Sequence, residues 1–322
     1  MKHHFWVSYA ITIILISVFL GMLNLISSSS NNSTKFISPI PSFLTIGRNN
    51  QVTTLNLWLP QIVFAQMEKD KTPQIFAKAA LVYDTTSGKT LFAKNESEKL
   101  PMASLTKIMT AIIALENGHK DDLYIVAKSD LVGEDSMGLS AGETLSMEEL
   151  LYGLMLSSGN DAAEVLARNY SLGRDGFILA MNEKVKALGL SNTHFTNPTG
   201  LQGDGDQYTS ASDLLVITNY AISNFPLFGK IVSTFDYTIP YTKDHKAFYL
   251  ENQTNLLTSY PGVKGVKTGY TPEAELCLVT YLEYGGHKII GVILGSQNRR
   301  DEMKKLLDYS LKSLGIPPPP HG

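Results

Sequence analysis

Ala103-Ser104-Leu105-Thr106-Lys107 sets a serine and a lysine three residues apart at the start of a helix predicted over 105–116. Three residues is close to one helical turn, so both side chains can share a face. A serine hydroxyl is a poor nucleophile until a base takes its proton. A lysine one turn away is such a base if its amine is neutral. Taken alone, the pair reads more simply as an N-cap serine and a solvated helix lysine. The rest of the chain decides between the two.

Outward from that stretch, strands flank helices. Residues 79–83 and 90–93 read as two strands joined by the turn Thr85-Thr86-Ser87-Gly88. Helices are predicted over 147–156, 161–170, 175–188 and 212–224. The first opens on a capping box, Ser146 with Glu149, and the third ends at Gly189. Residues 235–240 and 246–251 suit a hairpin. Segments 262–268, 276–284 and 288–295 alternate or run apolar between turns. Residues 299–314 form an amphipathic helix with Met303, Leu306, Leu307 and Leu311 on one side. The fold class is therefore α+β. First and last strands meet in one antiparallel sheet, helices pack on it, and a helical lobe is inserted.

Composition bounds the function. The chain has 322 residues, 43% apolar and 18% charged, enough for a sizeable core. A net charge of −3 gives no reason to expect a nucleic-acid partner. Cys277, the only cysteine, excludes an intramolecular disulfide and reads as a small core residue. The seven histidines show no metal-ligand spacing, so no metal is expected. Residues 1–26 carry an uncharged, mostly apolar run from Phe5 to Ile26, long enough to cross a bilayer. They read as an N-terminal membrane anchor, with a cleaved signal as the alternative. Val63-Phe64-Ala65 is a second small-residue site. Residues 27–73 read as a linker, Ser- and Asn-rich at first, and 315–322 as a Pro-rich tail. The bulk of the chain is expected outside the cytoplasm.

Two further patterns follow the first. Ser158-Gly159-Asn160 lies between two predicted helices, and Lys267-Thr268-Gly269 at the end of a predicted strand. Each alone is ordinary turn or strand chemistry. In the order S-x-x-K, S-x-N, K-T-G, they are the motif set of penicillin-binding proteins and class A β-lactamases. The flanks agree: Pro101-Met102-Ala103-Ser104-Leu105-Thr106-Lys107-Ile108-Met109-Thr110, Ser158-Gly159-Asn160-Asp161-Ala162-Ala163, Asn197-Pro198-Thr199-Gly200-Leu201 and Lys267-Thr268-Gly269-Tyr270-Thr271. Over residues 74–314 the chain resembles the low-molecular-mass penicillin-binding proteins, the serine D-alanyl-D-alanine carboxypeptidase family. That resemblance implies a five-stranded antiparallel sheet of the β-lactamase/transpeptidase kind.

It also implies roles. Ser104 would be the nucleophile and Lys107 the general base, its proton affinity lowered by burial and by Lys267. Ser158 would relay the proton to the leaving amine. Asn160 would orient Lys107 and hold substrate. Lys267 and Thr268 would bind the substrate carboxylate, and Gly269 would let substrate lie against its strand. Backbone N–H groups of Ser104 and Tyr270 would form the oxyanion hole. The substrate would be a peptidoglycan stem peptide ending in D-Ala-D-Ala, with β-lactams as covalent inhibitors and no cofactor.

Two departures from the family stand out. Many relatives carry a β-rich domain and a C-terminal amphipathic anchor after the catalytic domain. Here the N-terminal segment is expected to serve as the anchor. Glu275 stands where the family usually has glycine, and its side chain could crowd the strand turn or the substrate path. The motifs leave open a D,D-endopeptidase that cuts cross-links. A β-lactamase is disfavoured because no E-x-x-x-N is found at a suitable place. A non-catalytic sensor is disfavoured by the few residues preceding the apolar run.

Overall fold

The computed structural model describes residues 72–254 and 256–321. The anchor expected over 1–26, the small-residue site at Val63-Phe64-Ala65 and nearly all of the 27–73 linker lie outside the described residues. Among the described residues no helix is long and apolar enough to cross a membrane.

The chain begins with β1 (Ala79–Asp84) and β2 (Lys89–Lys94), joined by the expected turn with Gly88 at φ 72°. A 3-10 turn, Ala103–Thr106, leads into α1 (Lys107–Asn117). Then come β3 (Leu123–Ile125), β4 (Thr144–Ser146), α2 (Met147–Leu156), α3 (Asn160–Arg168), α4 (Gly173–Ala187) and α5 (Ala211–Asn224). The short α6 (Pro226–Val232) precedes the hairpin β5 (Asp236–Ile239) and β6 (Phe248–Glu251). A single turn, α7 (Leu256–Ser259), leads to β7 (Val263–Thr271), β8 (Glu275–Tyr284), β9 (His287–Ser296) and α8 (Arg299–Ser313).

The main sheet is antiparallel, in the order β2-β1-β9-β8-β7. First and last strands thus meet, with Ala79 to Asp84 paired to Leu294 back to Ile289. Both faces are covered, and the period-two alternation of a strand divides the side chains between them. Ala79, Leu81, Tyr83, Val279, Val292 and Leu294 face the helical lobe. Ala80, Val82, Leu278, Ile289 and Ile293 face α8, where Met303, Leu306, Leu307 and Leu311 are all fully buried. A Cβ at Gly291 would stand 2.6 Å from Met303 Sδ, so glycine lets α8 approach β9 closely. Cys277 is buried, and burial pushes its thiol up to about 11, which suits an inert core residue.

Local chemistry explains the element ends. Ser146 and Glu149 form the expected reciprocal cap of α2, and Ser210 accepts the N–H of Asp213 at the start of α5. The lobe also carries the β3–β4 ladder and the β5–β6 hairpin, each two-stranded. β3 and β4 are three residues each, too short to show a period. α6 begins at Pro226 in the N1 position, a start signal hidden by its closeness to α5. The tail turns back on the body. His321 stacks on Tyr260 at 4.5 Å, and its Nε2 lies 2.8 Å from Asp308 Oδ1.

Inside the lobe, Lys184 of α4 and Tyr220 of α5 both donate to Glu116 Oε1 of α1 at 2.6 Å. Glu116 and Lys184 are almost fully buried. Removing one partner would leave the other charge desolvated and alone. Glu116→Ala is expected to lower unfolding stability by about 3–5 kcal/mol, read as a fall in the denaturant midpoint at constant m-value. A change below about 1 kcal/mol would show that the pair behaves as an exposed one.

Candidate active site

The site is assembled from four pieces of chain. Ser104 lies in the 3-10 turn before α1, not in the α-helix itself, and Lys107 is the first α-helical residue. Ala103 takes φ 49°, a left-handed conformation uncommon for a side-chain-bearing residue. It turns the chain from Met102 into the helix and leaves Ser104 half-buried beside a wholly buried Lys107.

Lys107 Nζ touches three oxygens: Ser104 Oγ at 2.8 Å, Asn160 Oδ1 at 2.7 Å and Thr199 O at 2.7 Å. Asn160 is the first residue of α3. Its other amide atom, Nδ2, faces Gly133 O at 3.5 Å, which fixes the amide orientation. Burial is the main force lowering the proton affinity of Lys107 well below its ordinary value, and the positive charge of Lys267 adds to it. Asp135, Asp161 and Glu164 act the other way. A neutral amine has two N–H donors and one lone pair. The carbonyl oxygens of Asn160 and Thr199 use the two donors. The lone pair is then left for the hydroxyl proton of Ser104.

Thr199 belongs to the segment 197–201, which the sequence marks as a family flank without assigning it a part in the site. Asn197 Oδ1 accepts the N–H groups of Thr199 and Gly200 and the hydroxyl of Thr199. Thr110 of α1 donates to Pro198 O at 2.6 Å. Gly200 has φ 91°, and a Cβ there would stand 2.0 Å from Ala103 O. The turn is thus pressed against the backbone of Ala103 and Ser104, with Thr199 O against the lysine. The Asn-x-x-Gly spacing was the available signal.

Lys267, Thr268, Gly269 and Tyr270 lie within β7, which continues to Thr271 rather than stopping at the motif. The register to β8 explains the extension, since Thr268 to Thr271 pair with Leu278 back to Glu275. Lys267 is buried, and burial lowers its pKa to about 7, opposed by Asp135 and assisted by Arg299. Its Nζ donates to Thr268 O at 3.0 Å. Gly269 has a different neighbour from the one its sequence context suggests. A Cβ there would meet Met102 O and Ser104 N, each at 3.1 Å, so glycine lets β7 close on the nucleophile turn.

Ser158 sits between α2 and α3 at φ 60° and is 1% exposed. Its hydroxyl has no hydrogen-bond partner among the described residues, and no bond joins it to Ser104 or Lys107. A buried hydroxyl left unmatched costs about 1–3 kcal/mol. Such an arrangement is expected where an external group completes it.

Two other contributors were not visible in the sequence. Arg299, at the start of α8, donates to Gly269 O at 2.7 Å and adds a second, half-buried cation beside Lys267. Asp161, next to Asn160, accepts from Ser136 Oγ and from the N–H groups of Met137, Gly138 and Leu139, at 2.5–3.1 Å. It binds the 136–139 loop to the start of α3. Glu275 does not crowd the site. It adopts φ 55°, the conformation that favours glycine, and its carboxylate pairs with Lys78 at 2.9 Å.

Residues 66–298 match the family described as Peptidase_S11, D-alanyl-D-alanine carboxypeptidase. The chain is 34% identical to D-alanyl-D-alanine carboxypeptidase DacF of Bacillus subtilis, over 77% of this chain and 66% of that one. It therefore spans just under two thirds of that relative. It is 35% identical to a D-alanyl-D-alanine carboxypeptidase of Streptomyces sp. strain K15, over 74% of this chain and 88% of the relative. The crystal structure of the Streptomyces K15 DD-transpeptidase superposes with a TM-score of 0.71 at 32% identity, covering 75% of this chain and 99% of that one.

Gly200→Ala tests the packing behind the nucleophile. The added methyl would displace Ala103 O and carry Ser104 with it. Reaction of Ser104 with benzylpenicillin is expected to slow about 100-fold, followed by intact mass. A rate within threefold of the unsubstituted chain would show that the turn yields without moving the serine.

Proposed function

The chain belongs to the D-alanyl-D-alanine carboxypeptidase family of serine peptidases, and we propose that it removes the terminal D-alanine from peptidoglycan stem peptides through an acyl-enzyme on Ser104. The observation that carries this reading is the buried Lys107 amine held between Ser104 Oγ, Asn160 Oδ1 and Thr199 O.

The chemistry follows from that contact. As Ser104 Oγ attacks the carbonyl of the penultimate D-alanine, its proton passes to the lone pair of Lys107. The N–H groups of Ser104 and Tyr270 are proposed to take the developing oxyanion. The unpartnered hydroxyl of Ser158 is proposed to give its proton to the leaving D-alanine amine as the C–N bond breaks and to take in exchange the proton that Lys107 had accepted, which leaves Lys107 neutral. Water then attacks the ester carbonyl, Lys107 accepts its proton, and that proton returns to Ser104 Oγ as the ester C–O bond breaks. β7 is an edge strand of the sheet, so an extended peptide can lie along its open side, next to Lys267 and Thr268. Lys267 and Arg299 together give two desolvated positive charges for the terminal carboxylate. A β-lactam presents a similar carbonyl and carboxylate and would acylate the same serine.

The apolar N-terminal segment supports a membrane anchor as the working place of the domain, on the outer side of the cytoplasmic membrane. The catalytic domain is proposed to span 74–314.

A second reading has one supporting fact. The Streptomyces neighbour is named a DD-transpeptidase, and the acyl-enzyme proposed here can equally pass to an amine. Release of D-alanine without an amine acceptor distinguishes the two. Diacetyl-L-Lys-D-Ala-D-Ala is expected to yield free D-alanine and the shortened dipeptide with the unsubstituted chain, and neither with Ser104→Ala. Equal release by both would remove Ser104 from the mechanism. Cross-linked muropeptides cleaved without free D-alanine release would favour the endopeptidase.

The two lysines also set a pH profile. Lys107 must be neutral to accept a proton, so kcat/KM rises as pH passes its lowered pKa. Lys267 must stay charged to bind a carboxylate, so kcat/KM falls as the free protein loses that proton, near pH 7. Lys267→Arg keeps its charge and is expected to move the alkaline limb upward by more than one pH unit, whatever it does to the maximum. A limb unmoved by the substitution would assign it to another group.

A further inference from the structure

Asp135 lies on the loop that packs against the start of α3, beside Asn160, and the catalytic roles above make no use of it. Its backbone oxygen accepts the N–H of Asn160 at 2.8 Å, and Asn160 in turn holds Lys107. Its carboxylate is exposed and has no ion-pair partner among the described residues. The loop that carries it is fixed. Asp161 gathers the four groups of Ser136 to Leu139 just beyond it. Met137 lies against α2 so closely that a Cβ at Gly153 would stand 2.1 Å from its sulfur. The field of the carboxylate reaches into the cleft, since it is the foremost negative charge acting on both Lys107 and Lys267.

The site is therefore bipolar, with the cations Lys267 of β7 and Arg299 of α8 and, on the lobe loop beside Asn160, the carboxylate of Asp135. A substrate that matches it has a carboxylate at its end and a cation on a side chain nearby. We propose that Asp135 is a specificity residue that reads the free side-chain ammonium of the diamino acid next to the scissile D-Ala-D-Ala unit. The inference rests on the carboxypeptidase reading above. In that setting Asp135 favours stems whose side-chain amine is still free over stems in which it has been acylated by cross-linking. A rigid loop matters here, because a carboxylate held in place loses little freedom when it pairs.

The test compares two peptides that differ only in that amine: Nα-acetyl-L-Lys-D-Ala-D-Ala and its Nα,Nε-diacetyl form. With the unsubstituted chain, kcat/KM is expected to favour the free amine about fivefold, the scale of a partly exposed ion pair. The preference should shrink as salt rises from about 0.05 to about 0.5 M, which shortens the screening length roughly threefold. Asp135→Asn should bring the ratio to near one, chiefly through KM, and Asp135→Lys should invert it. Any effect of the substitution on Lys107 or Lys267 acts on both peptides alike and cancels in the ratio. D-alanine release from both peptides with a ratio that Asp135→Asn leaves unchanged overturns the inference alone. No release from either peptide by the unsubstituted chain overturns the carboxypeptidase reading, and the inference with it.

Discussion

The amine of Lys107 is the constraint on which the rest of the site depends. A charged ammonium in a wholly buried position would bear a large desolvation cost, and a second buried lysine on β7 adds repulsion. Both effects favour the neutral amine. Its two remaining N–H bonds then need acceptors, and Asn160 and Thr199 supply them. What is left is a lone pair 2.8 Å from a serine hydroxyl. In the proposed mechanism the activation of Ser104 is thus a by-product of where the lysine is buried. Ala103, Gly200 and Gly269 hold unusual or close-packed backbone so that these four groups can converge.

The same fold gives the cleft its electrical direction. Burial lowers the pKa of Lys267 to about 7, while Arg299 braces the strand through Gly269 O. The proposed mechanism uses one of these buried lysines as a base and the other as a cation. Their separation arises from position. Lys107 lies at the junction of the lobe and the nucleophile turn, while Lys267 lies in the edge strand. Asp161 completes the frame by tying the 136–139 loop to the start of α3.

Much of this was legible in the sequence because it is local. The strand pattern of β1, β2, β8 and β9 gave the sheet, and the Ser146–Glu149 cap marked the start of α2. The three ordered motifs named Ser104, Lys107 and Asn160, which the fold brings into contact. What was not legible depends on distant backbone. Thr199 acts through its carbonyl oxygen, which carries no residue-specific signal. Arg299 acts on a strand 30 residues away. Gly269 was read as room for substrate, yet its space belongs to Met102 and Ser104. Glu275 looked like an obstruction until its positive φ and its pairing with Lys78 were seen. Such effects need the tertiary fold, because periodicity reports faces of elements and not the approach of one backbone to another.

The most direct measurement is of the protonation state of Lys107 itself. Heteronuclear NMR of the lysine side-chain nitrogens, with Lys107 assigned by the loss of its signal in Lys107→Met, can follow its titration in the free protein. A neutral amine at pH 7 that titrates well below the ordinary lysine value of about 10.4 is the expected result. An ammonium at pH 7 with an ordinary titration would contradict the assignment of Lys107 as the base for Ser104.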